Sequence, residues 1–435
     1  MGLLNAKSYA IRLYFDSEQH TKLKQWIGVA RSVYNHTIWV YNQNKIKPPK
    51  SQIREWWKFE GDNGKTYIKD CPYNLKDGAL EDALAAIEGG LSRMDDGKKK
   101  GVIEFRQRKD ARQVLKIHSQ NISTETLRIF PNLLFQRGKD YTSYLPRIRN
   151  KSNVIHPFKE SQTLSTSFLI YQKRLREYTL HVNYTESVKV HDKALENQES
   201  LEQHVVAIDP GVKTFATCYS PTMNMISKVG YHDYERMARL ANAYSKIQST
   251  AAKLKGEERK HRKAHLQRAQ AKIYKKIQCL KHEVHYKLAS WLTKAFDIII
   301  VPPFNQGNCM TKKRESWTHK ETRKSILHWS HCKFRNVLLY LAKERGKEVI
   351  ILDESYTTKT CCGCGWLNDK VGNNDIFKCH NVLCNVGKLD RDANGAVNIF
   401  LKAVTLGLVS IHEPAPEDSN QDLKVLFDAT FYKSN

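Results

Sequence analysis

The 435-residue chain has no run of 18 or more apolar residues, which excludes a conventional membrane-spanning helix. Its first residues, MGLLNAKSYAIRLYF, lack a long apolar stretch followed by a small-residue cleavage site, so secretion is not expected. No segment repeats at a fixed period. Acidic residues are scarce: 45 Asp and Glu stand against 71 Lys and Arg, a net charge of +26. That deficit says nothing about fold, but it excludes an acidic solvating chain and points to a polyanionic partner, most often nucleic acid. Low complexity is excluded too, because 40% of the residues are hydrophobic and 27% charged, enough to bury a core. The length leaves room for roughly two to four domains.

Cysteine is sparse outside one place. Cys71, Cys218, Cys279, Cys309 and Cys332 are scattered, which suits a reducing, intracellular compartment. The other five fall between Cys361 and Cys384. Cys361-x-x-Cys364 followed by Cys379-x4-Cys384 has the spacing of two short knuckles that bring four thiolates into a tetrahedron around zinc. Gly363, Gly365 and Gly387 permit the tight turns. Cys362 is an extra thiol that could replace Cys361, although C-x-C is a poorer bite. Four protein ligands leave no open position for substrate, so this zinc is expected to be structural.

Periodicity sketches the rest. Tyr9, Ile11, Leu13 and Phe15 alternate as a strand with one wet face. A helix start at Asp16–Glu18 precedes a helical spacing through Leu23, Trp26, Ile27, Ala30, Val33 and Tyr34. Residues 42–75, with Pro48, Pro49, Gly61, Gly64 and Pro72, read as irregular, and 77–95 as a short helix. From Gly97 to Lys116 eight basic residues face two acidic ones. Short alternating stretches between 113 and 185 (VLKIHS, LRIF, LIYQKR, REYTLHV) read as strands of a small barrel or sheet completing the first strand. Residues 186–202 are polar and read as a linker.

A different pattern opens at VVAIDPG (205–211), a buried strand, and continues through FATCYS and NMISKVG. Residues 233–296 are helical with a break near Gly256, DIIIVPPF (297–304) is a buried strand, 308–320 a basic loop, 321–345 a helix, and EVIILDE (348–354) a further strand. A helix from about Asp392 to Leu406 and an acidic tail from Ile411 close the chain. Strands separated by helices predict an α/β or mixed sheet here, after an α+β first half.

Two further patterns carry chemistry. Asp209 and Glu354 end strands and Asp392 opens a helix; phosphodiester hydrolysis with two Mg²⁺ needs about three carboxylates from separate elements. Singly, each reads equally as a turn former, a helix cap or a solvated side chain. Between Lys246 and Lys287, thirteen Lys or Arg face three Glu, either a solvated helix face or a phosphate-binding one. Tyr9, Trp26, Tyr34, Trp39, Trp56 and Trp57 are available for core packing or for stacking on bases.

VVAIDPGVKTFAT, YTTKTCCGCG and FKCHNVLCNVGKLDRDANGAVNIF together resemble the TnpB family of transposon-encoded, RNA-guided DNA nucleases, relatives of the type V CRISPR effectors. Looser matches, such as KSYAIRLYFDSEQHTKLKQWIGVARSVYN and HEVHYKLASWL, extend the resemblance over most of the chain. One departure is informative. The family carries a catalytic Glu after the strand that reads DIIIV here, where this chain has Pro302 and Pro303. VPPF followed by a Glu in LDESYTTKTC is similar to the Fanzor branch found in eukaryotes and their large viruses, in which that Glu has moved one strand on.

The resemblance implies a wedge-like β-barrel from residues 1–15 and 113–185, and a helical recognition segment at 16–112. After the 186–202 linker it implies a RuvC-like, RNase H-like nuclease domain from 203–360 and 385–410, interrupted by a zinc finger at 361–384 and followed by a tail at 411–435. It implies a noncoding guide RNA and target double-stranded DNA as partners, recognition of a short adjacent duplex motif, and location in a eukaryotic nucleus or virus-infected cell. Asp209, Glu354 and Asp392 would be the catalytic Mg²⁺ ligands, and Cys361, Cys364, Cys379 and Cys384 the zinc ligands. In the RNase H-like sheet the DIIIV strand lies beside the Asp209 strand and the Glu354 strand lies next to it. A Glu side chain spans much of the extra strand spacing of about 4.8 Å. Asp353 points to the opposite face, and the D-x-N pattern selects Asp392 over Asp390. Residues 305–325 are expected to cover the site. The rival reading is a guide-directed binding protein that does not cut, favoured by the lost Glu. A strand-transferase would need an end-binding module such as a helix-turn-helix, and none is clear.

Overall fold

The structure, a computed structural model, describes residues 4–95, 103–123, 129–130, 162–187, 203–256, 259–303, 329–369 and 374–409. The chain divides into two compact units, Met1–Val190 and His191–Asn435.

In the first unit, β1 (Leu4–Leu13) leads into α1 (Ser17–Asn44). Asp16 starts α1 through a reciprocal capping box: its carboxylate accepts from Gln19 N at 2.8 Å, and Gln19 Oε1 accepts from Asp16 N at 3.1 Å. The apolar stripe read from the sequence is buried, including Leu23, Trp26, Ile27, Ala30, Val33 and Tyr34. Residues 42–75 are more regular than expected, with α2 (Lys50–Asp62) and α3 (Thr66–Lys69). Pro49 sits at the N-cap of α2 in extended conformation, where its missing N–H costs nothing, and Ile53 and Trp57, one turn apart, supply the buried face. α4 (Tyr73–Asp95) starts four residues before its expected position.

The helices share one core with an antiparallel sheet of β1, β2 (Arg112–Ile117), β4 (Ser167–Gln172) and β5 (Glu177–Ser187) in the order β1-β5-β4-β2, with the short β3 (Gln162–Leu164) also on β5. LRIF contributes an isolated bridge, Ile122 to Ile129. Among the described residues no pairing closes this sheet into a barrel; residues 131–161 lie outside them. Trp26, Tyr34 and Trp57 are core residues, not stacking platforms, whereas Trp39 is exposed.

The second unit opens with an antiparallel meander of β6 (Val205–Pro210), β7 (Ala216–Ser220) and β8 (Met225–Val229). α5 (Tyr231–Lys253) and α6 (Lys260–Ala295) follow, parted near Gly256 as the sequence predicts. β9 (Ile298–Val301) pairs parallel to β6, and β10 (Glu348–Ile351), after α7 (His331–Arg345), pairs parallel to β9. The strand order is β10-β9-β6-β7-β8.

Ile298–Val301 is apolar throughout because both faces of the strand are covered. Val206, Ile208, Ile299 and Val301 pack against α6 and α7, while Ala207, Ile298 and Ile300 pack against Ile399, Phe400 and Ala403 of α8 (Arg391–Thr405). β11 (Ile376–Lys378) and β12 (Lys388–Asp390) form a separate two-stranded ribbon before α8. The expected linker beyond residue 187, the basic loop and the start of the following helix (304–328), and the tail from 410 lie outside the described residues. Of the cations counted in residues 246–287, Lys281 is buried in the helical layer and is not available to a phosphate.

Candidate active site

Asp209 lies at the end of β6, between β9 and β7, where the sheet delivers its side chain toward α8. The approach is close. A Cβ built on Gly395 would fall 2.5 Å from Asp209 Oδ2, and one on Gly211 would fall 3.7 Å from Asp392 Oδ2. Asp209 is half-buried, with its carboxylate lying close against Gly395 of the helix. Burial raises its pKa well above the usual carboxylate range, the negative charges of Asp392 and Glu354 raise it further, and Arg391 opposes the rise. Asp209 therefore feels both other carboxylates.

Asp392 sits in the first turn of α8, where its charge favours the helix N-terminus. Arg391 Nη2 is 3.2 Å from Asp392 Oδ1. The neighbouring Asp390 serves the fold instead. It caps α8 by accepting from Ala393 N at 3.0 Å and pairs with Lys228 Nζ at 2.6 Å. Asp390 is thus engaged by the cap and the lysine, while Asp392 meets Arg391.

Glu354 does not end its strand. β10 stops at Ile351, Leu352 N still bonds Val301 O at 3.0 Å, and Glu354 opens the turn that follows. Thr357 seals that turn, its Oγ1 donating to Glu354 O at 2.9 Å. Glu354 retains exposed surface, yet neighbouring atoms desolvate its carboxyl and raise its pKa, and Asp353 adds to the rise. Asp353 is turned elsewhere, with Oδ2 accepting from Ser355 N at 3.3 Å and lying 3.8 Å from Lys402 Nζ. Pro302 and Pro303 follow β9 directly and bring no carboxylate.

The four cysteines converge: one Sγ from each of Cys361, Cys364, Cys379 and Cys384 lies within 4.8 Å of the others. Cys361 and Cys384 Sγ are 3.8 Å apart, and Cys364 and Cys379 Sγ 3.6 Å. A tetrahedron with Zn–S bonds of about 2.3 Å has edges of about 3.8 Å, so the donor set fits zinc without rearrangement. Cys362 lies outside the cluster; its N–H donates to Asn394 Oδ1 at 3.0 Å.

Sequence reasoning missed what joins these two centres. Asn394 and Asn398, one turn apart on α8, are buried and aim at the turn between Glu354 and the first knuckle. Asn394 Nδ2 donates to Thr360 O at 2.8 Å, and Asn398 Nδ2 donates to Thr357 O at 2.8 Å and Thr360 O at 2.6 Å. The helix that carries Asp392 thus holds both the Glu354 turn and the start of the cysteine cluster. The i, i+4 asparagine pair was legible in DANGAVN, but not what it would bind.

Family models match two segments: residues 331–399 match a Cas12f1-like TNB domain, and residues 1–44 match a model described as a helix-turn-helix domain. The second match falls on a segment in which no such module was clear from the sequence, and whose described elements are one strand and one helix. A TnpB-like protein of Acanthamoeba polyphaga mimivirus is 23% identical over 405 residues, covering 90% of this chain and 72% of that protein. A putative transposase of Paramecium bursaria Chlorella virus 1 is 29% identical over 204 residues, covering 46% of this chain and 43% of the relative. Among solved structures, a Cas12f1–sgRNA–target DNA complex aligns over 91% of this chain and 98% of its own, with 13% identity and a TM-score of 0.48. The sequence likenesses support the TnpB family. Among the described residues, no helix is long and apolar enough to cross a membrane.

Proposed function

We propose that this protein is an RNA-guided DNA endonuclease of the Fanzor type, cutting guide-matched DNA next to a short duplex motif. The observation that carries the reading is the packing of the Asp209 carboxylate against α8, within the electrostatic reach of Asp392 and Glu354. The strand order β8-β7-β6-β9-β10, with a meander followed by two parallel strands, supports an RNase H-like nuclease sheet. In it β9 and β10 lie successively beyond β6, as a relocated glutamate requires.

Three carboxylates from separate elements, with the charges of Asp392 and Glu354 acting on Asp209, are the donor set of a hard dication. Asp209, Glu354 and Asp392 would hold Mg²⁺, which when bound supplies positive charge to the scissile phosphate and acidity to the attacking water. The chain's own part is positional. Gly395 leaves room for Asp209, Arg391 restrains Asp392, and Asn394 and Asn398 hold the turn that presents Glu354. The tetrahedral cysteine set would hold one structural zinc. Guide pairing would carry sequence specificity, and the basic surface would grip the RNA and heteroduplex backbones.

The test is Mg²⁺-dependent cutting of a guide-matched duplex by protein loaded with the RNA that copurifies with it. Glu354→Ala and Glu354→Gln should abolish cutting while RNA and target binding persist, because a neutral amide is a poor ligand for a hard dication. Asp209→Ala and Asp392→Ala should match them, and Asp353→Ala should retain most activity. Full activity in Glu354→Ala refutes the relocated site. Tight guided binding with no cutting by the wild type favours the binding-only reading, which Pro302 motivates.

A further inference from the structure

A groove of about 500 Å³ in the first unit has no part in the carboxylate chemistry. One wall is a single stripe of α1: Gly28, Arg31, Ser32, Asn35, His36 and Trp39 fall at successive spacings of three and one, the geometry of one helix face. Trp56 of α2 and Phe105 complete the lining. Trp39 is 51% exposed and Phe105 46% exposed, so two large rings face water.

These rings are held in place. His36 stacks on Trp56 with centroids 3.8 Å apart and planes 8° from parallel, and Trp39 continues the stack at 5.7 Å from His36. Phe105 is presented by a pinned backbone. Asn35 Nδ2 donates to Arg106 O at 2.9 Å, and Arg106 N donates to Asn35 Oδ1 at 2.8 Å. The Arg106 guanidinium lies 3.9 Å over the Tyr34 ring and bonds Asp82 Oδ2 at 3.0 Å. On the other side, Ile103 packs where a Cβ on Gly90 would fall 3.3 Å from its Cδ1. Burial keeps the His36 pKa below its ordinary value, so the ring is a neutral face at neutral pH. Cations flank the rings: Arg31 lines the groove and lies in the field of Arg108, with Asp110 as the nearby opposing charge.

Preorganised exposed rings beside cations match a flat aromatic ligand with negative charge on its flanks. An apolar protein side chain would use the rings and leave the cations idle. An unpaired base in a strand uses both, because every base has a π-face and a phosphate on either side. Ser32 adds an exposed hydroxyl beside the rings, a partner for a ribose 2′-OH that deoxyribose lacks.

We infer that this groove holds an unpaired base of single-stranded RNA, stacked on the Trp39–His36–Trp56 and Phe105 rings, with Arg31 and Arg108 on its phosphates. This goes beyond the nuclease reading and survives its failure, since no carboxylate of that site takes part.

The experiment measures binding of a short unstructured RNA, roughly eight nucleotides, to nucleic-acid-free full-length protein across a salt series. Trp39→Ala and Phe105→Ala should each weaken binding roughly 5- to 150-fold. The slope of log affinity against log salt should not change, because no phosphate contact is removed. Trp39→Phe should restore most of the loss, which a folding defect would not allow. Arg31→Gln should instead lower the slope by about one. Tyr67→Ala, an exposed ring outside the groove, is the control. Affinities of Trp39→Ala and Phe105→Ala equal to that of Tyr67→Ala overturn the site. A DNA strand of the same sequence that binds as tightly, and loses as much in Trp39→Ala, overturns the assignment to RNA.

Discussion

Acidification should unfasten the second unit through two histidines buried beside its β10-β9-β6-β7-β8 sheet. His285 of α6 and His331 of α7 lie on Phe215, with centroids 5.2 and 4.7 Å from its ring. Both pKa values are pushed from 6.5 to about 4, in each case chiefly by burial. His285 Nε2 lies 2.8 Å from Trp329 O, so it must donate, which the neutral Nε2–H tautomer does without a charge. A drop from 6.5 to about 4 corresponds to roughly 3 kcal/mol for one imidazole. The two do not simply add, because a charge on either ring disfavours a charge on the other.

The sign follows from proton counting. Between about 6.5 and about 4 the unfolded chain binds more protons than the folded one, so stability rises with pH in that window. The full stabilisation is present above 6.5 and is lost as the pH falls, levelling below about 4. Urea unfolding of the full chain across this range, with hydrogen exchange of α6 and α7 amides as the local report, measures the loss. His285→Gln keeps a donor toward Trp329 O and removes the titration, so its pH slope should be shallower by the share of one histidine. Equal slopes in wild type and His285→Gln, or an NMR titration placing His285 near 6.5, would refute the reasoning.

Changing Cys364 or Cys384 to Ser should release one zinc per chain, measured by metal analysis, and destabilise the second unit, whereas Cys362→Ser should retain the metal. Zinc-free wild-type protein would overturn the assignment. Asn398→Ala removes the side-chain donor to Thr357 O and one of the two to Thr360 O, which keeps Asn394, and should cost about 1–3 kcal/mol in urea unfolding. An unchanged midpoint would mean that the turn is held by other contacts. Replacing several α6 cations, Lys260, Arg262, Lys263 and Arg268, by Gln should flatten the salt dependence of RNA binding. An unchanged slope would leave this helix as a solvated face.

Local chemistry was readable wherever it repeats at short range. Tetrahedral thiol spacing depends on two tight knuckles, so Cys361, Cys364, Cys379 and Cys384 were identifiable as one donor set while Cys362 remained an open alternative. The buried run Ile298–Val301 and the capped start of α1 at Asp16 likewise depend on neighbours a few residues away. Residues 42–75 misled because prolines that stop one helix also start the next, and only the burial of Ile53 and Trp57 decides which.

Long-range placement belongs to the tertiary structure alone. Asp390 and Asp392 look alike in sequence; the cap on Ala393 and the ion pair with Lys228, 162 residues away, give Asp390 its structural role. Trp26, Trp57 and Trp39 were equal candidates for stacking until packing buried the first two and left the third in water. Nothing in DANGAVN says that its asparagines would hold the turn carrying Glu354, because hydrogen bonds across 34 and 41 residues are set by how α8 crosses the sheet. The residue types and their local spacing thus determined the chemistry available, and the packing of β6, β10 and α8 decided which of those groups meet.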